Sequence, residues 1–134
     1  MTARAMLDTN AVSVLMRDPF GSLRRRAEAF GFNDLCISVV STGELQFGLA
    51  KSGSTKIRRA LGSILDTLPI AGLEPPVDRT YGEIRAHLSA RGEIIGPNDT
   101  WIAAHALALN LILVTANVRE FSRVPDLRVE NWLD

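Results

Sequence analysis

Short apolar runs separated by longer stretches of helical period organise this chain. Ala5-Met6-Leu7, inside Arg4 to Asp8, reads as a first buried strand. Leu35 to Val40 is rich in β-branched residues and reads as a second, and Leu111-Ile112-Leu113-Val114-Thr115 as a third. A shorter apolar piece spans Ile70 to Leu73, and a last strand is expected near Val129. Helical patterns cover Ala11 to Met16, Phe20 to Phe30 with Pro19 at its start, Ser41 to Lys51, and Thr55 to Leu68. Two more cover Asp78 to Ala90, ended by Gly92, and Pro97-Asn98-Asp99 to about Leu109. Strands alternating with helices predict an α/β fold with a mainly parallel central sheet, in one domain over residues 1–134.

In such sheets, sites form beyond the carboxyl ends of the strands. Asp8 ends the first strand, Glu44 follows the second, and Thr115 to Asn117 close the third. Asp99 lies at the start of the last long helix. Each acid has a local explanation. Asp8 or Asn10 suits a helix cap, and Ser41-Thr42-Gly43-Glu44 matches a capping box. Asn98 suits an N-cap, with Asp99 favouring the positive end of the helix dipole. Together the three acids invite another reading. Carboxylates gathered at one sheet edge repel one another, and caps have no need to gather whereas metal ligands do. An oxygen-only set, without a companion cysteine or histidine cluster, suits magnesium or manganese rather than zinc. His87 and His105 lie within helices and read as structural or surface residues.

Composition narrows the function. Hydrophobic residues make up 46% and charged residues 22%, ordinary globular usage. Fifteen basic and fifteen acidic side chains cancel, so contact with a polyanion would rest on a local patch. Arg24-Arg25-Arg26, Arg85 and Arg91 are the candidates, each more simply read as part of a solvated face. Trp101 reads as core or dimer surface rather than a base-stacking platform. One cysteine, Cys36, excludes an intramolecular disulfide and sits in a core strand. Neither a secretory signal nor a run long enough for a membrane helix is visible, and a cytoplasmic location is expected.

Four segments in order carry a resemblance: Met6-Leu7-Asp8-Thr9-Asn10; Ile37-Ser38 with Glu44-Leu45; Gly96-Pro97-Asn98-Asp99 with Ile102-Ala103-Ala104-His105-Ala106; and Val114 to Phe121. Over nearly its whole length the chain resembles the PIN domain, most of all the VapC toxins of bacterial toxin–antitoxin pairs. The resemblance implies a three-layer α/β/α fold and a magnesium- or manganese-dependent endoribonuclease. It further implies a cognate VapB-type antitoxin that blocks the site, a toxin homodimer and higher toxin–antitoxin assembly. Asp8, Glu44 and Asp99 match the family's three principal acids. A fourth acid is common after the last strand. Asn117 stands at the matching position, and Glu120, just before Phe121, is its candidate substitute. Three acids predict one tight metal ion and at most one weak one. Thr9 and Thr115 flank the acids, suited either to orienting water and phosphate or to capping strand ends.

Two rivals remain. An aspartyl-nucleophile phosphatase also places an aspartate after its first strand, but wants a second acid two residues on, where this chain has Asn10. A PIN-like module that binds RNA or a partner without cutting has no need of all three acids.

Overall fold

Ala5, Met6 and Leu7 are wholly buried, as a strand covered on both faces must be. In a computed structural model, which describes residues 3–133, they form strand β1 (Ala5–Leu7). With β2 (Leu35–Ser38), β3 (Ile70–Ala71), β4 (Ile112–Val114) and β5 (Val129–Glu130) it builds one sheet in the order β3-β2-β1-β4-β5. Every pairing is parallel, with Met6 beside Cys36 on one flank and Leu113 on the other. The helices among the described residues are α1 (Thr9–Arg17), α2 (Ser22–Phe30), α3 (Val39–Ser52), α4 (Thr55–Thr67), α5 (Val77–Ala90), α6 (Pro97–Ala108) and α7 (Val118–Phe121). None is long and apolar enough to cross a membrane.

Alternation along the strands divides the core into two halves. Ala5, Leu7, Leu35, Ile37 and Val114 join Val12 and Leu15 of α1, Leu23 and Ala27 of α2, and Trp132. Met6, Cys36 and Leu113 face the other way, onto Ile84 and Leu88 of α5 and Ile102, Ala103 and Ala106 of α6. The result is the expected three-layer α/β/α fold. Small side chains along α6 let it lie close to the sheet, which fixes the position of its first turn.

Several boundaries differ from expectation, for local reasons. Val39 and Val40 leave the strand because the Ser38 hydroxyl accepts the Val40 N–H at 3.1 Å, capping α3 early. The capping box at Ser41 therefore does not form: Ser41 lies buried inside the helix. Gly96, not Asn98, caps α6, with Pro97 in its first turn. Pro19 stays in the turn before α2, which begins at Ser22 after Gly21. The short helix α7 was not expected.

Candidate active site

β1 lies between β2 and β4, so the chain reverses direction across the sheet beside it. A crevice opens at such a switch point, outside the strand ends. Asp8 follows β1 and Thr115 follows β4, and the Asp8 backbone N–H donates to Val114 O at 3.0 Å. Asp8, Thr9, Asn10, Glu44, Asp99, Asn117 and Phe121 line a cavity of about 230 Å3 there. The three principal acids, which come from three different elements, thus share one cavity. Thr9 and Asn117 join them.

Each acid is held differently. Asp8 is buried and caps α1, its Oδ1 accepting the Ala11 N–H at 2.8 Å. Burial pushes its carboxyl above the ordinary 3.8; hydrogen bonds from Thr115 and the Ala11 N–H pull the other way, and the Glu44 charge adds to the rise. Asp99 is half-buried in the first turn of α6. Burial, then a hydrogen bond and charge repulsion from Glu120, then the charges of Glu44 and Asp8, push its carboxyl up to about 7. Glu44 is clamped at both oxygens: Oε1 accepts from Thr9 Oγ1 at 2.5 Å, and Oε2 from Asn98 Nδ2 at 3.2 Å. Asn98, displaced from the cap, thus gains a contact with the site that the sequence did not reveal.

Glu120 also reaches this cluster. It meets Asp99 and accepts from Asn117 Nδ2 at 2.8 Å. Asn117 carries no charge itself but steers a carboxylate toward Asp99. Thr115 serves both neighbours, donating to Asp8 and accepting the Asn117 N–H at 2.9 Å. The signal for Glu120 lay in its spacing: one turn of helix after Asn117 returns the chain to the same side.

The donor set is all oxygen and rich in negative charge, the chemistry that a hard divalent cation matches. Among the described residues, no three of the His, Cys, Asp and Glu side chains form a ready metal shell. Both Glu44 oxygens are already engaged, by Thr9 and Asn98, while Asp8 is held by Ala11 and Thr115 and Asp99 by Glu120.

Other candidates fall outside this cavity. His105 is buried, Nδ1 lying 2.8 Å from Ser38 Oγ, and burial lowers its pKa. Trp101 stacks on Tyr81 with centroids 3.8 Å apart. Arg24 pairs with Glu28 and Arg91 with Glu93, while Arg25 and Arg26 donate to Phe20 O and Asn131 O. Arg85 donates to the Tyr81 hydroxyl at 2.9 Å. These arginines brace the surface rather than line the acids. Burial pushes the Cys36 thiol up to about 11, which leaves it an inert core residue.

A PIN domain model matches residues 5–127. The chain is 42% identical over 130 residues to Ribonuclease VapC2 of Haemophilus influenzae, covering 96% of this chain and 97% of that protein. It is 36% identical to the tRNA(fMet)-specific endonuclease VapC of Shigella flexneri, covering 95% and 96%. Among solved structures, VapBC2 from Rickettsia felis, bound to a DNA fragment from its promoter, superimposes with a TM-score of 0.89. That match has 36% identity and covers 98% of this chain and 99% of the other.

Proposed function

This chain belongs to the PIN-domain family, among the VapC ribonucleases, and from that premise we propose that it is a toxin–antitoxin ribonuclease: a magnesium- or manganese-dependent endoribonuclease restrained by a VapB-type antitoxin. The observation that carries the reading is the convergence of Asp8, Glu44 and Asp99 on one cavity. That local concentration of acid is costly without a cation, and an RNA phosphate brings more negative charge still.

Asp8 and Asp99 would hold the ion, with Glu120 behind Asp99. A bound divalent ion polarises a phosphoryl oxygen and eases deprotonation of water. Glu44, fixed by Thr9 and Asn98, orients the attacking water and draws its proton toward Oε1 or Oε2. The Thr115 hydroxyl keeps Asp8 aimed across the crevice. Because Asn117 is neutral, the second ion position is weak at best. The antitoxin acts by covering this cavity, and the toxin assembles as a homodimer.

Purified protein incubated with RNA tests this. Cleavage with Mg2+ or Mn2+, abolished by EDTA and by Asp8→Asn or Asp99→Asn, supports the assignment. Scission that persists in EDTA, or in both variants, overturns it.

A further inference from the structure

Helix α3 presents a second face beside the acid cavity. Val39, Gly43 and Phe47 recur every fourth residue and so stack along one side of the helix. Phe47 is 68% exposed and Val39 40%. A Cβ placed on Gly43 would meet nothing within 4 Å, so this glycine leaves an open gap between the two apolar side chains. With Val40, Glu44 and Asn98, these residues line an open depression of about 610 Å3. Glu44 is the wall it shares with the acid cavity.

We propose that this depression is a nucleobase subsite, which takes an unpaired base of the RNA next to the scissile phosphate. It rests on the ribonuclease reading above and adds a determinant of where that enzyme cuts. No cation lines the depression among the described residues, so it is unsuited to a phosphate. An exposed aromatic ring beside a gap suits the face of a base, because every base offers a π-surface to stack. Asn98 suits the edge. One of its amide hydrogens goes to Glu44, which leaves a second N–H and the Oδ1 acceptor for hydrogen bonds to a base. Single-stranded RNA presents such edges, whereas a duplex hides them. Because Asn98 also holds Glu44, a base seated there is coupled to the residue that orients the water.

Steady-state cleavage of a single-stranded RNA, with sequencing of the new 5′ ends, tests the proposal on the full chain. Phe47→Ala should raise KM about tenfold, the loss of one stacked base, with kcat little changed. Phe47→Tyr, which keeps a stacking ring, should restore the wild-type KM. Gly43→Leu fills the gap while substituting a better helix former, so it should raise KM without lowering Tm. All three should keep the thermal stabilisation by Mn2+, and the first and third should relax the base preference at the cut. Unchanged KM and cut sites in Phe47→Ala and Gly43→Leu would overturn the subsite. So would a changed oligomeric state in those variants by light scattering, because the face would then join copies of the chain. Wild-type protein that leaves RNA intact would overturn the ribonuclease reading itself, a result distinct from wild-type cleavage with indifferent variants.

Discussion

Removing one charge from the acid cluster should stabilise the metal-free protein while destroying its activity. Asp99→Asn is the sharpest case. The Asp99 carboxyl is pushed up to about 7 from an ordinary 3.8 by burial, by Glu120 and by the charges of Glu44 and Asp8. A folded-state value above the unfolded one means the folded chain binds more protons between them. Stability from this group is therefore complete below about pH 4 and is lost as pH rises through about 7. Keeping the carboxylate ionised at pH 8 costs at most about 4 kcal/mol, which partial exposure screens to about 1–2 kcal/mol. An asparagine amide is neutral and can donate to Glu120, as the protonated carboxyl does. In EDTA at pH 8, Asp99→Asn should raise Tm by about 3–8 °C, a gain that fades toward pH 4. Calorimetry across pH 4–8 reads this directly. Mn2+ should then raise the Tm of the wild type and leave the variant unmoved, because only the wild type binds the ion. A variant that melts lower than wild type at pH 8, or a difference independent of pH, would refute the reasoning.

Asp8→Asn keeps an oxygen to accept the Ala11 N–H, so it should fold with near wild-type stability yet lose cleavage. Asp8→Ala should lose the cap as well, about 1 kcal/mol by urea denaturation. Thr9→Val frees one oxygen of Glu44, and kcat should fall about tenfold while Mn2+ affinity measured by calorimetry stays constant. His105→Ala opens a buried cavity and leaves the Ser38 hydroxyl with only its contact to the Val40 N–H; urea denaturation should show a loss of about 2–4 kcal/mol.

The sequence displayed the sheet and the acids because both rest on strong local signals: buried apolar triplets and carboxylates at their ends. It misled where one side chain had two local uses. Ser38 looked like a strand residue among β-branched neighbours, yet its hydroxyl capped α3 and drew Val39 and Val40 into the helix. That early start leaves Glu44 beyond the first turn, free to meet Thr9 and Asn98 rather than the backbone. Asn98 resembled a cap, but Gly96 took that place. Asp8 both caps α1 and lines the acid cavity, so capping does not compete with the proposed site role. The Ser38–His105 contact joins residues 67 positions apart, and no local pattern could have shown it.

The central claim is that Asp8 and Asp99 hold a divalent cation at the sheet edge. Anomalous diffraction from crystals soaked in Mn2+ tests it most directly. The account predicts one strong manganese peak between the two carboxylates, with at most a weak second peak toward Asn117 and Glu120. Two equally strong peaks would contradict the single tight site, and no peak at Asp8 and Asp99 would contradict the metal centre itself.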